Sequence, residues 1–396
     1  MSYSGINLEH VKTLNRGAIL KLLNDQGAMS RKDIAVQLGL TPATVSVICS
    51  ELLEAQVLCE MGEVKEDRRA GRKKILLGIN YSRYFALAVS IEDTHTCITL
   101  SDMRGRPSCD RCIPTDSNVA SEPFLCQIAE TGRELLQIAG VNSAHLLGAG
   151  VSIPGVVRRE DSAAVRDILQ RELNCPVIVE NNVKAFAEAE LIYGSGKDQD
   201  NLLFVKWGPG VGACFVIHKQ IYESRRFKSA EIGHMIVEWE DAQHHLCRGR
   251  LETRISTHAV ADQVRQRCTR PAMPLLYQNR RGDMSSIAAH NIDEWIACGD
   301  SGMWQVIEES IDLLARAVTN VATFLAPDRT IFYGELFELP TMWERFLAAC
   351  QRYNTDCRAE GFSRSQLSDK LEYIGPLAIV VDRLFLNRRV TSDLDR

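Results

Sequence analysis

Residues 30–80 constrain this chain more tightly than any other stretch: two capped helices, a glycine turn and a basic hairpin follow one another at the spacing of a winged helix-turn-helix. Ser30 can cap a helix whose apolar positions Ile34, Ala35 and Leu38 recur at helical spacing, and Gly39 supplies its left-handed stop. Leu40 is placed to plug the angle between the helices. Thr41 is a second N-cap, and Pro42 stands at the first helical position, where its missing N–H costs nothing. Val45, Ile48, Leu52 and Leu53 form the apolar face of this second helix, which leaves Ala43, Thr44, Ser46 and Val47 outward near its start. Small and hydroxylic side chains let a helix sink into the major groove, where hydroxyls meet base edges and methyls meet thymine. Past Ala55 a hairpin is expected from Val57–Glu60 to Ile75–Leu77, with six basic and two acidic residues between Lys65 and Lys74 and Gly71 at the bend.

The partner this pattern implies is a double-stranded DNA operator. Its contacts are expected from Arg31, Pro42, Ala43, Thr44 and Ser46 on the helices and from Arg68, Arg69, Arg72, Lys73 and Lys74 on the wing. A helix carrying Leu14, Ile19, Leu20, Leu22 and Leu23 should complete the module's core, and a hinge is expected around Gly78–Ser82. Residues 1–80 hold 11 basic and 9 acidic side chains, so non-specific DNA affinity should be modest and salt-dependent. The whole chain carries −5, which leaves the rest at about −7 and excludes a second DNA-binding surface there.

We read residues 1–80 as the DNA-binding domain and 81–396 as a two-lobed effector and oligomerisation domain. No apolar run approaches the roughly 20 residues needed to cross a bilayer, and the N-terminus lacks an apolar signal core, so a soluble cytoplasmic protein without a membrane partner is expected. Thirteen scattered cysteines suit a reducing compartment better than a disulfide framework. Cys109-Asp110-Arg111-Cys112 has metal or redox spacing but no second pair nearby, and reads as incidental to a hairpin.

From Phe85 onward strands alternate with helices in an α/β pattern: Phe85–Val89, Cys97–Leu100, a helix with Leu125, Ile128, Leu135, Leu136 and Ile138 on one face, and a buried strand Leu146–Ile153. Further strands fall at Val177–Val179, Leu202–Val205 and Ala213–Ile217, with a helix over Val183–Ile192.

Within this body Ser152-Ile153-Pro154-Gly155-Val156-Val157, Glu180-Asn181-Asn182, Gly208-Pro209-Gly210-Val211-Gly212-Ala213, Ala230-Glu231-Ile232-Gly233-His234-Met235 and Leu251-Glu252-Thr253 occur in the order and approximate spacing of the ROK family of sugar kinases and sugar-responsive repressors. The resemblance runs from Phe85 to Phe385. With a winged helix fused ahead, the chain resembles the NagC/XylR-type regulator branch. That resemblance implies an α/β, actin-like and hexokinase-like (ribonuclease H-like) body, a sugar cleft between its lobes, and a homodimer or homotetramer.

The same resemblance argues against catalysis. Family kinases place an Asp general base directly after the Glu-Asn pair, where this chain has Asn182, an amide without useful basicity. Their glycine-rich phosphate turn is replaced by Ser90-Ile91-Glu92-Asp93-Thr94, whose carboxylates would repel phosphate, and the Gly-Gly pair near the adenosine is Gly334-Glu335. No catalytic residue is therefore assigned. Gly208–Gly212 keeps the look of a second phosphate loop but reads better as a tight turn between strands.

By resemblance, a sugar or sugar phosphate would be held by Asn181, Asn182, Glu231, His234 and Glu252, whose amides, carboxylates and imidazole suit hydroxyls that both donate and accept. The segment between Val157 and Cys175 is shorter than in the family and runs into a charged helix over Ala163–Leu173; Arg158, Arg159 or Arg166 there could favour an acidic ligand, although solvated arginines are commoner. Family members build a zinc site from the His of Glu-x-Gly-His and three cysteines; here only His234, His244 or His245, and Cys247 remain, so no cofactor is expected and zinc has a degenerate ligand loop. The reading that follows is a transcriptional repressor of carbohydrate metabolism. A residual sugar kinase, or a regulator controlled by a protein partner, are the alternatives.

Overall fold

In the computed structural model, which describes residues 8–64, 74–155, 159–223, 230–240, 245–354, 361–367 and 372–387, the chain opens with α1 (Leu8–Gln26), β1 (Met29–Ser30), α2 (Arg31–Leu38), α3 (Pro42–Glu54), β2 (Leu58–Val64) and β3 (Lys74–Ile79). Ser30 Oγ accepts from Asp33 N at 3.2 Å and starts α2; Gly39, at φ 63°, ends it by donating to Ala35 and Val36 carbonyls. Thr41 caps α3 through Thr44 N at 3.2 Å. Ile19, Leu20, Leu23, Ile34, Val45, Ile48, Leu52, Val57, Leu58 and Leu77 are buried together, each such side chain contributing roughly 2 kcal/mol. The three strands form a sheet in the order β1-β3-β2, the expected winged hairpin. Leu14 is a correction: it is 59% exposed, because it lies on the opposite face of α1 from Ile19 and Leu23.

The chain divides into two compact units, residues 1–193 with 370–396, and residues 194–369. In the first unit, β4 (Phe85–Ile91), β5 (His95–Asp102) and β6 (Pro107–Pro114) run antiparallel, followed by α4 (Glu122–Ile138), β7 (Leu146–Ile153), α5 (Arg159–Leu173), β8 (Val177–Asn181) and α6 (Asn182–Ile192). The sheet order is β6-β5-β4-β7-β8, with β7 and β8 added in parallel through the crossover helices α4 and α5. Its core joins Leu87, Val89 and Val151 on the sheet to Leu125, Ile128, Leu135, Val165 and Leu169 on those helices, whereas Ile138, expected on the same apolar face, ends α4 at 64% exposure. The charged helix begins at Arg159, four residues before its expected start.

The second unit repeats that logic. It contains β9 (Leu202–Trp207), β10 (Val211–Ile217), β11 (Gln220–Ile221), the hairpin β12 (Ile236–Glu240) and β13 (Leu246–Arg250), α7 (Glu252–Ile255), α8 (Thr257–Arg267), α9 (Pro274–Asn279), α10 (Ile292–Ile296), α11 (Ser301–Leu325), β14 (Arg329–Tyr333), α12 (Glu335–Glu338), α13 (Pro340–Tyr353) and β15 (Phe362–Arg364). The sheet order β11-β10-β9-β14-β15 again sets an antiparallel hairpin beside two parallel strands. Two sheets with one strand order fit the expected two-lobed, actin-like body. Phe332 packs edge-on against Phe337 and Phe346 at 5.4 and 4.8 Å, fixing α12 and α13 on β14.

The chain returns to the first unit with α14 (Ile374–Val380), whose last turn widens into a π-helix over Val381–Leu386. Gly150 makes this docking possible: a Cβ there would lie 1.9 Å from the Pro376 carbonyl oxygen. The segment Gly78–Ser82, expected to flex, is held on both sides. Asn80 bonds Val57 O and Gln56 O, Met103 N donates to Tyr81 O, and Tyr81 OH donates to Asn24 Oδ1 of α1 at 3.1 Å. These bonds oppose a hinge at that point.

Cysteines 97 and 112 form a disulfide between β5 and β6, where they stand directly opposite each other. No disulfide framework was expected, and among the described residues this is one pair beside ten free cysteines. Spacing within one strand hid the pair: Cys109 and Cys112 lie three apart on β6 and so face opposite sides, Cys109 Sγ reaching Leu135 O.

Candidate functional site

On α3 the structure leaves Pro42, Ala43, Ser46 and Val47 exposed while Val45, Ile48 and Cys49 face the core. Val47 is 56% exposed, an apolar side chain on an outward helix face. Thr44 is half-buried and shares its hydroxyl with Thr41 Oγ1 at 2.9 Å, so it presents one remaining hydrogen-bonding direction. Arg31 is half-buried at the start of α2. Lys74 begins β3 with Nζ 3.5 Å from Asp33 Oδ1. The Ser30 hydroxyl and this lysine hold the Asp33 carboxyl below its ordinary range, so Lys74 serves the module's own fold as well as any phosphate. Arg68, Arg69, Arg72 and Lys73 lie outside the described residues.

Of the expected sugar-holding groups, Asn181 and Asn182 lie in the first unit where β8 passes into α6. Asn181 is the N-cap: its Oδ1 accepts from Val183 N at 2.9 Å and Lys184 N at 3.3 Å, and its Nδ2 donates to Gly155 O at 2.6 Å. Its acceptor capacity is thus used by the helix, leaving one N–H for a ligand. Asn182 is 4% exposed.

Glu231, His234 and Glu252 lie in the second unit. Glu231 and His234 bracket a 3-10 turn, and Gly233 between them permits close packing: a Cβ there would meet Val211 O at 2.3 Å and Glu252 Oε2 at 3.1 Å. Glu252 Oε2 accepts from Val211 N at 3.0 Å at the end of the Gly208–Gly210 turn, which joins β9 to β10 as a tight hairpin connection. Glu252 therefore organises the glycine turn whatever else it holds. His234 is exposed. Cys247 sits on β13 opposite Trp239, His245 is exposed, and His244 lies outside the described residues.

The turn where kinases grip phosphate is a short hairpin from β4 to β5, closed by Glu92 N donating to His95 O at 3.0 Å. Ser90 is buried, its hydroxyl accepting from Ser152 Oγ at 3.3 Å. Arg166 pairs with its neighbour Asp167 at 2.9 Å; Arg158 lies outside the described residues, as does the Arg159 side chain.

Sequence reasoning missed a chain of charges that runs from Asn181 to the DNA-binding module. Glu180 Oε1 accepts from Asn181 N at 3.0 Å, and Glu180 Oε2 accepts from Arg383 Nη2 at 2.7 Å. The next residue back, Asp382, lies 3.6 Å from Lys21 Nζ on α1, while Gly17 of α1 backs onto the Leu386 carbonyl. Glu188 is buried beside this pair. Burial first, then the Asp382 carboxylate, push its pKa well above the ordinary carboxylate range, against the pull of Arg383. A count of charged residues in an otherwise apolar C-terminal helix was the available signal.

These features define a class: a winged helix-turn-helix joined to a two-lobed, kinase-like body. The chain belongs to the ROK family, whose model matches residues 144–383, and residues 13–58 match the winged helix-turn-helix DNA-binding family. The xylose repressor of Caldicellulosiruptor bescii is 22% identical over 94% of this chain and 96% of its own length. The DNA-binding transcriptional dual regulator NagC of Escherichia coli is 24% identical over 84% of this chain and 83% of its own. A putative xylose repressor of another Caldicellulosiruptor matches at 24% identity, with the alignment spanning 60% of its length. Among solved structures, a ROK family transcriptional regulator homologous to E. coli MLC superposes with a TM-score of 0.74 at 21% identity, covering 96% of this chain and 98% of that one. A ROK glucokinase from Streptomyces griseus covers only 74% of this chain, at TM-score 0.61 and 19% identity.

Proposed function

We propose that this protein is a cytoplasmic transcriptional repressor of carbohydrate metabolism that binds a double-stranded operator and is released or retained by a sugar or sugar phosphate. The single observation that carries the reading is the N-terminal end of α3, which pairs a fully capped, well-packed helix with an outward row of small side chains, Ala43, Ser46 and Val47. Similarity to named repressors along nearly the whole chain supports it. Among the described residues no helix is long and apolar enough to cross a membrane.

The ligand-holding groups in this reading are Asn181, Asn182, Glu231, His234 and Glu252. Asn182 holds a hydroxyl without removing its proton, so the chain senses a sugar and does not phosphorylate it. Coupling to DNA runs through one unit: a ligand that shifts Asn181 shifts Glu180, and through Arg383 and Asp382 the seat of α1. The response is a population shift between two settings of the winged module in an oligomer, with half-sites about one helical turn apart or a multiple of that.

The test is selection of a duplex from a random library by the full chain, then titration of that duplex against a sugar and sugar-phosphate panel with ATP turnover followed in parallel. The reading expects one enriched motif, an affinity change of about 5–150-fold with one class of sugar, and no turnover. Sugar-dependent ATP consumption without a motif would establish the kinase instead.

A further inference from the structure

We infer that His95, Cys97, Cys112 and Glu372 form a binding site for a zinc-class divalent cation once the Cys97–Cys112 pair is in its dithiol form. Among the described residues His95, Cys97 and Glu372 make up the one group of His, Cys, Asp and Glu donors in which all ligand atoms lie within 4.8 Å of one another. Cys112 adds a fourth. It stands opposite Cys97 in the β5–β6 register, and its Sγ lies 3.8 Å from Glu372 Oε2.

The backbone explains the convergence. His95 and Cys97 are two apart on β5, so both project from one face of the sheet, and the directly opposed residue of an antiparallel neighbour projects from the same face. The Cα atoms of Cys97 and Cys112 are 4.1 Å apart. Glu372 comes from the segment just before α14 and places Oε1 2.9 Å from His95 Nε2. A tetrahedral ion with bonds of roughly 2.0–2.3 Å needs donors roughly 3.3–3.8 Å apart, a spacing these side chains reach by rotation. Two thiolates, an imidazole and a carboxylate are a donor set that selects zinc over magnesium or calcium.

His95 is also oriented for the role. Its Nδ1 lies 3.1 Å from Thr94 Oγ1, which occupies that nitrogen and leaves Nε2 aimed at Glu372. The site is separate from the His234–Cys247 region of the second unit. Occupancy would tie the start of α14 to β5 and β6, and α14 leads directly to the Asp382–Lys21 contact.

Loading requires a thiol or phosphine reductant, which delivers two electrons to the S–S bond and is itself oxidised; each sulfur takes up a proton, and the cation then displaces both protons as it binds. The same balance run backwards, with an added oxidant taking two electrons from the bound thiolates, restores the disulfide and expels the ion.

The experiment titrates cobalt(II) into the full chain after reduction by a phosphine and stripping with a chelator. Expected are the near-ultraviolet thiolate-to-cobalt band and the visible bands of tetrahedral cobalt, saturating at about one equivalent per chain. They are lost in Cys112→Ser, retained in Cys247→Ser, and shifted to at least roughly tenfold weaker binding in His95→Ala. Cys112 is exposed, so its serine variant keeps the fold, which circular dichroism of the metal-free protein verifies. Absence of the thiolate band, its persistence in Cys112→Ser, or a pair that cannot be reduced without unfolding would each overturn the inference.

Discussion

Arg383 donates from Nη2 to Glu180 Oε2 at 2.7 Å, and Glu180 is the residue immediately before Asn181. One ion pair therefore joins the start of α6, where the Asn181 amide proposed to hold a sugar caps the helix, to the π-helix that seats α1 of the DNA-binding module. Replacing Arg383 with Met leaves Glu180, itself 13% exposed, without that donor. The expected cost is about 2 kcal/mol in denaturant unfolding, with ligand-dependent change in operator affinity lost. Unchanged ligand response in Arg383→Met would show that coupling takes another route.

Lys21→Glu separates stability from signalling. The Lys21–Asp382 pair is half-exposed, so stability should change by less than about 1 kcal/mol. Operator affinity measured with and without ligand should nevertheless converge, because the reversed charge pushes α1 away from Asp382 in both states.

Gly150→Ala tests the docking of α14. A Cβ 1.9 Å from Pro376 O forces α14 off β7, and the expected destabilisation is about 3 kcal/mol, at the upper end of overpacking costs. Thermal unfolding of the variant checks it, and a value near wild type would contradict the backbone contact.

Glu188 sets a pH dependence. Its pKa in the folded chain is raised, so the native state holds a proton that the unfolded state releases above about pH 4.5. The stability contributed is fully present below that value and is lost as pH rises through the raised one, where a second negative charge appears beside Asp382. Glu188→Gln, which fixes the neutral form, should flatten the decline of stability with rising pH. An identical slope in the variant would place the titration elsewhere.

The caps, the turn and the apolar faces of the winged module were legible because Ser30, Gly39, Thr41 and Pro42 act on their own neighbours in sequence. The residues proposed to hold a sugar were legible only as motifs. What those motifs did not show is that Asn181 and Glu252 already serve as a helix cap and a hairpin clamp, since both tasks depend on backbone groups supplied by the fold. The Cys97–Cys112 pair and the Glu180–Arg383 bond join residues 15 and 203 apart, and local spacing carries no trace of either. Leu14 was misplaced for a simpler reason: leucines cover two faces of α1, and only packing chose between them.

Genome-wide DNA occupancy of the intact protein, beside a variant carrying Thr44→Ala and Ser46→Ala, decides whether this chain is an operator-binding regulator. Both changes are on the outward N-terminal end of α3, and Thr44 keeps the backbone N–H that Thr41 accepts, so the fold is retained. Discrete peaks next to carbohydrate genes are expected for the wild type, with operator affinity at those sites at least roughly tenfold weaker in the variant. Peaks unaffected by the substitutions, or no discrete peaks at moderate salt, would contradict that role.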